Sequence, residues 1–193
     1  MTRKTYVFAR AFRDSLPILM GYGTMGFAAG VVFAVKSGAA HPEMWSLAIA
    51  ALGFSGTLQF VIGDWFGEMR SLWFVAAMTF AISFRYALYG FALLGKWNGV
   101  GLMRKLFLIA GLADENFALE ASCKLKDKAD FIRYCTILTS LNLSYWTCGA
   151  FAGALAGSTL PIPSRGIEFV MAALFITILT DQVKDLVSER RRK

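Results

Sequence analysis

The sequence predicts an all-α polytopic membrane protein of about six transmembrane helices, some of them broken by glycine and proline. Three observations carry that prediction. Hydrophobic residues make up 56% of the chain and charged residues only 17%, below the roughly one-quarter charged of a soluble domain. The apolar residues come in long uncharged runs, Ser15–Val35, Met44–Gly63 and Tyr134–Ser164, and about 20 such residues span a bilayer core. Trp45, Trp65, Trp73 and Trp97 stand near segment ends, where the headgroup region holds tryptophan. A soluble enzyme, a disordered chain and a disulfide scaffold are excluded.

Six apolar segments follow in order: Leu16–Val35, Trp45–Ile62, Leu72–Leu94, Leu106–Ala121, Tyr134–Gly157 and Ile167–Thr180. The first follows Arg3, Lys4, Arg10 and Arg13 but is too long for a signal sequence, so it reads as a retained span. The third contains Arg85, the fourth contains Asp114, Glu115 and Glu120, and the sixth opens with Glu168. This divides the chain into a cytoplasmic tail (1–14), one transmembrane domain (15–182) and a basic cytoplasmic tail (183–193). No internal repeat is visible.

The net charge of +7 reads as orientation rather than nucleic-acid binding, because the basic residues lie in the gaps between apolar runs. With six crossings, fourteen Lys and Arg fall on the side of the N-terminus: the first tail, Arg70, Lys124–Arg133 and the last eleven residues. Five fall on the other: Lys36, Lys96, Arg104, Lys105 and Arg165. Cytoplasmic loops are enriched in Lys and Arg, so both termini are expected inside. A re-entrant fourth segment would reverse the final basic cluster, which favours a full crossing.

Pro17, Gly21, Gly23, Gly26 and Gly30 crowd the first segment, and Gly53 and Gly56 flank Ser55 in the second. Such residues either let helices pack closely or break them and expose backbone polar groups to a midplane site. Gly149, Gly153 and Gly157 form a small-residue ridge in the fifth segment, which reads as a packing surface.

An ionisable residue inside a span is costly and marks function by default. Arg85 is the clearest, serving either a site or an internal ion pair, with snorkelling from a helix break as the alternative. Adjacent Asp114 and Glu115 point about 100° apart on a helix. One can take protons or pair with Arg85 while the other orients a break; otherwise they mark a helix N-terminus near the interface. Gln59, Ser55 and Thr57 in the second segment, and Asn142 and Ser144 in the fifth, add hydrogen-bonding groups. The only histidine is His41, in a loop, and Asp64 has no partner aspartate except Asp114, so intramembrane hydrolysis has no constellation to rest on. Cys123, Cys135 and Cys148 lack metal or redox spacing. No cofactor or metal is expected.

Four motifs in order carry a family resemblance: Arg13-Asp-Ser-Leu-Pro17, Leu58-Gln-Phe60, Phe84-Arg-Tyr-Ala-Leu-Tyr-Gly90 and Gly111-Leu-Ala-Asp-Glu-Asn-Phe117. Together they resemble the AzlC family, the large subunit of bacterial branched-chain amino acid exporters, from about Arg13 to Thr180. The resemblance implies export of small apolar amino acids across the bacterial cytoplasmic (inner) membrane, driven by the proton gradient. It also implies a small AzlD-type membrane partner, with a non-transporting subunit that needs another chain as the alternative; a homo-oligomer is a further assembly. Many relatives have a polar residue before the buried arginine and a histidine after it, where this chain has Phe84 and Tyr86. On this reading Arg85 or broken-helix N–H groups hold the substrate carboxylate. Asp114 or Glu115 holds the ammonium or the coupled proton, and Gln59 and Asn142 border the path.

Overall fold

The computed structural model describes residues 3–53 and 55–160, together with Phe169, Ile176 and Thr180. Among the described residues every regular element is a helix. These are α1 (Arg3–Ser37), α2 (Pro42–Gly53), α3 (Gly56–Gly67), α4 (Leu72–Leu93), α5 (Leu102–Ala110), α6 (Asp114–Ser122) and α7 (Lys128–Thr159). The expected sixth apolar segment and the basic tail 183–193 lie outside the described residues, save the three single positions.

Helices α1 and α7 form the spine. At 1.5 Å per residue, 35 and 32 residues reach about 50 Å each, well over a bilayer core. They run parallel: Arg3 pairs with Asp127 at 2.6 Å and with Asp130 at one end, and Val31 and Ala34 lie against Gly157 at the other. Between these points the two backbones touch through glycine. A Cβ on Gly149 would lie 2.8 Å from the Gly23 carbonyl, and one on Gly26 would lie 2.8 Å from the Trp146 carbonyl. At Gly153 and Gly30 it would run into the Phe27 and Ala150 carbonyls. The ridge read from sequence therefore packs inside the chain, against α1.

The first segment differs from expectation. Pro17, Gly21, Gly23 and Gly26 do not break the first segment, because α1 is continuous through all four. Gly21 and Gly23 have open space where a Cβ would stand, and Gly26 serves the contact with α7. Residues 3–14, expected as an N-terminal tail, are helical and form the first turns of α1, with Val7 and Ala11 buried. The break expected around Gly56 in the second segment is present, between α2 and α3, and another falls in the fourth segment, between α5 and α6.

The second segment was expected to be one span and is a hairpin of two short helices. Trp45, early in α2, lies 5.5 Å from Phe66, late in α3, and the Gln59 amide donates to the Ser46 carbonyl at 3.3 Å. The chain turns back at Gly53–Gly56, with Ser55 extended. Each arm has 12 residues, about 18 Å, too short to cross alone. Both open ends sit beside the C-terminal end of α1, where Lys36 bonds Asp64 at 2.9 Å.

The fourth segment is a second hairpin, entering from the other end. Lys96, just before α5, bonds the Glu120 and Ala121 carbonyls at the end of α6. Gly111, in the bend, lies against Thr139, and Asn116 reaches Asn142, farther along α7. Arms of nine residues again fall short of a crossing.

Helix α4 runs the full depth between the hairpins. It and α1 are long and apolar enough to cross a membrane, with mean hydropathies of 1.4 and 1.8 over their best windows. Residues 3–67 and 72–122 thus share one topology, a long helix followed by a half-depth hairpin, with the second copy inverted. The repeat invisible in sequence is present in the fold. It also rearranges the charges. Among the described residues, eleven Lys and Arg lie toward the end holding Arg3: Arg3, Lys4, Arg10, Arg13, Lys96, Arg104, Lys105, Lys124, Lys126, Lys128 and Arg133. Lys36 and Arg70 lie at the opposite end, and Arg85 between.

Candidate functional site

The hairpin tips meet at mid-depth against Tyr22 of α1 and Trp146 of α7. Phe60 of α3 and Ala113 of the second bend join them in one buried cluster. The Tyr22 and Trp146 rings meet edge to face at 5.6 Å. Trp146 also covers the first tip, its indole ring 3.2 Å from where a Gly56 Cβ would stand. A side chain at Gly56 would push the tip away from the ring.

Polar groups run through this junction. The Trp146 Nε1–H donates to Gln59 Oε1 at 2.6 Å, the Gln59 amide donates to Ser46 Oγ at 3.1 Å, and Ser46 donates to the Ala150 carbonyl at 3.2 Å. Gln59 and Ser46 are fully buried, so each bond replaces one that water would otherwise have made. At the second tip, Asn116 donates to the Gly111 carbonyl at 2.6 Å and Asn142 donates to Asn116. Those bonds satisfy the bend from within the core.

Asp114 and Glu115 open α6, placing carboxylates at the positive end of a helix dipole. They diverge as their adjacency requires. Asp114 Oδ2 faces Arg85 Nη1 of α4 at 3.3 Å, and Glu115 accepts a 2.6 Å bond from the Tyr22 hydroxyl of α1. Arg85 also donates to the Tyr86 hydroxyl at 3.1 Å and lies over that ring, so Tyr86 lends it an oxygen and a π face. Tyr89 stacks on Phe117 at 4.5 Å and holds α4 against the tip. The Arg85–Asp114 pair is about half exposed and lies on the open flank of α4, where Phe80, Phe84, Leu88 and Phe91 point outward.

The helix N-termini at both tips lack side-chain caps. At the first, the buried Ser55 Oγ has no hydrogen-bond partner among the described residues. Free N–H groups, a positive dipole end and an unused hydroxyl suit an anionic oxygen. Clefts of about 950 and 720 Å³ lie at the two ends of the molecule. One is bordered by Asn98–Arg104 and Lys128, the other by Lys36–Gly38 and Trp65–Arg70.

Arg85, Asp114, Glu115, Gln59 and Asn142 therefore all lie around the tips. Arg85 joins Asp114 directly, and Gln59 connects to Glu115 through Trp146 and Tyr22. Asn142 supports the bend. Pro17, Gly21 and Gly23 contribute no broken backbone. Sequence reasoning missed Tyr22, Trp146, Ser46 and Asn116, because an aromatic or a small polar residue in an apolar segment carries no signature of which neighbour it will meet.

Oppositely entering half-depth hairpins with a polar junction mark a helical membrane protein with its polar groups gathered in the interior. The chain belongs to the AzlC family: the AzlC protein model matches residues 17–160. It is similar to the branched-chain amino acid transport protein AzlC of Bacillus subtilis (strain 168), 32% identical over 180 residues, covering 91% of this chain and 67% of that protein. It is similar to the inner membrane protein YgaZ of Escherichia coli (strain K12), 30% identical, covering 89% and 71% of the two chains. A Helicobacter pylori (strain ATCC 700392 / 26695) membrane protein is 30% identical, covering 92% and 78%. No solved structure matches the chain.

Proposed function

We propose that this chain is the substrate-carrying subunit of a secondary transporter that exports branched-chain amino acids across the bacterial inner membrane. The observation that carries this reading is the convergence of two inverted hairpins on one polar, aromatic junction. Alternating access needs a site reachable from either face, and inverted repeats supply two related gates around it. The hairpin open to the end holding Arg3 gates one face; the other hairpin gates the opposite face.

A zwitterionic amino acid divides between the tips. Its carboxylate takes the N–H groups of α3 with the Ser55 hydroxyl, and its ammonium takes Asp114 or Glu115. Tyr22, Trp146 and Phe60 offer apolar surface to a branched side chain. Arg85 neutralises Asp114 until substrate or a proton displaces it. The similarity to the Bacillus subtilis transport protein supports the substrate class.

The end rich in Lys and Arg faces the cytoplasm, as the eleven-to-two division favours. The described part then makes three crossings, α1, α4 and α7. Two re-entrant segments restore the parity that one would have reversed. A small AzlD-type subunit completes the assembly, and the proton gradient drives it. Radiolabelled valine efflux from cells expressing the chain, with and without such a partner, tests the reading. Efflux no faster than from cells lacking the chain, in both conditions, rejects it.

A further inference from the structure

One acid of the second hairpin has no place in the site above. Glu120 is fully buried, and neither carboxyl oxygen has a hydrogen-bond partner among the described residues. The Trp97 indole N–H and the Cys135 thiol are the two neutral donors that face it, neither closing a well-formed hydrogen bond to its carboxyl. Otherwise the core here is apolar, apart from Tyr134, whose hydroxyl is bonded to Asp14. Lys96 stands beside this acid without bonding its carboxyl: its ammonium caps the Glu120 and Ala121 carbonyls at 3.2 and 2.7 Å and lies over Phe131. An ionised carboxylate is not held in such surroundings without a partner.

The inverted copy supplies the comparison. There the same two parts occur: a lysine at the end of the long helix, Lys36, and an acid late in the second hairpin arm, Asp64. These two are paired at 2.9 Å and partly exposed. The acid–lysine pair is closed at one end of the molecule and unmade at the other.

We propose that Glu120 is a proton-binding site, with Lys96 as the cation that receives its carboxylate when the second hairpin opens. In the present conformation the carboxyl carries one proton. On opening, the O–H bond breaks, the proton passes to water at the basic end, and the Lys96 ammonium leaves the α6 carbonyls to pair with the carboxylate. The step runs backward when the hairpin closes. The role in driving transport rests on the function proposed above; the proton site does not.

Infrared difference spectra of the full chain in lipid vesicles test the site directly. The carbonyl stretch of a protonated carboxylic acid is expected at neutral pH in the wild type and is expected to be missing in Glu120→Gln. An unchanged band in that variant overturns the proposal. Lys96→Met, which keeps the carboxyl, is expected to retain the band to higher pH than the wild type; an identical pH dependence overturns the part given to Lys96. In the same vesicles, one unit of pH gradient shifts a one-proton valine distribution by up to about tenfold. Glu120→Gln is expected to keep gradient-free valine exchange and to lose that shift; a retained shift overturns the coupling. A wild type that moves no valine rejects the transport reading, while the infrared band still decides the site.

Discussion

The Tyr22 hydroxyl donates a 2.6 Å hydrogen bond to Glu115 Oε2, tying the longest helix to the tip of the second hairpin. The same ring meets Trp146 edge to face at 5.6 Å, and Trp146 bonds Gln59 of the first hairpin. One short path therefore connects the two tips. A hairpin that moves must break this path or carry it along.

Tyr22→Phe keeps the ring contact and removes the bond to Glu115. A hydrogen bond to a charged group contributes about 1.5–3 kcal/mol, so valine transport is expected to fall about tenfold or more while the chain still folds. Vesicle uptake alongside a thermal melt checks this. Wild-type transport in the variant would remove the bond from the mechanism.

Arg85 and Asp114 are 3.3 Å apart, about half exposed on the outward flank of a membrane-depth helix. A lone charge at mid-bilayer costs about 3 kcal/mol on insertion scales, so losing one partner harms more than losing both. Arg85→Gln and Asp114→Asn are each expected to abolish transport and lower the folded yield. The double variant should fold no worse than the worse single. A double variant that loses the sum of both losses in yield would show that the two residues act separately.

Gly153 lies against the Phe27 backbone, and an added methyl would collide with its carbonyl. Gly153→Ala is expected to destabilise the chain by about 1–3 kcal/mol, as overpacking does. Gly21→Ala, with open space at its Cβ, should be neutral or stabilising by up to about 1 kcal/mol, since alanine is the better helix former. Melts of both in detergent decide it. Equal losses would mean that the α1–α7 contact does not depend on backbone approach.

The sequence made Arg85, Asp114 and Glu115 legible for an energetic reason: a charge in an apolar segment must be compensated, so it stands out. The α1–α7 ridge was legible too, because glycines spaced four apart share one helix face. The hairpins were not. Hydropathy measures how many apolar residues follow one another, and a folded pair of half-length helices has nearly the same count as one crossing. Ser55 and Gly111–Ala113, which turn the chain, looked no different from Gly21 and Gly23, which do not. Pro17 was misleading because a proline inside a long membrane helix removes one hydrogen bond without ending the helix.

Asp127 caps α7, its side chain accepting from the Asp130 N–H at 3.1 Å, and it also pairs with Arg3. That N–H bond and then the guanidinium hold its carboxyl below the usual carboxylate range. The sign follows from the lowered value. Its contribution is present above the ordinary carboxylate pKa and is lost as pH falls through the lowered one. Melting temperature is expected to fall more steeply on acidification in the wild type than in Asp127→Asn, which can still cap the helix. Parallel acid limbs would assign the drop to other groups.

The membrane arrangement gives the sharpest contrast with a simple count of apolar segments. Six full crossings put Asn98, between the third and fourth segments, on the face opposite Arg3. The hairpin arrangement puts both on one face, since a Cβ on Gly99 would lie 3.8 Å from Lys128 Nζ and Arg3 pairs with Asp127. In a background with Cys123, Cys135 and Cys148 replaced by serine or alanine, single cysteines at Thr5, Asn98 and Lys126 should be labelled from the same side by a membrane-impermeant thiol reagent. A cysteine at Met69, which is 89% exposed beyond the end of α3, should be labelled from the other. The positive-inside rule makes the first group cytoplasmic. Asn98 labelled from the face opposite Thr5, Lys126 and Met69 would restore full crossings of the second and fourth segments and remove both hairpins as gates. Labelling of Thr5, Asn98 and Lys126 from outside would keep the hairpins and invert the protein in its membrane.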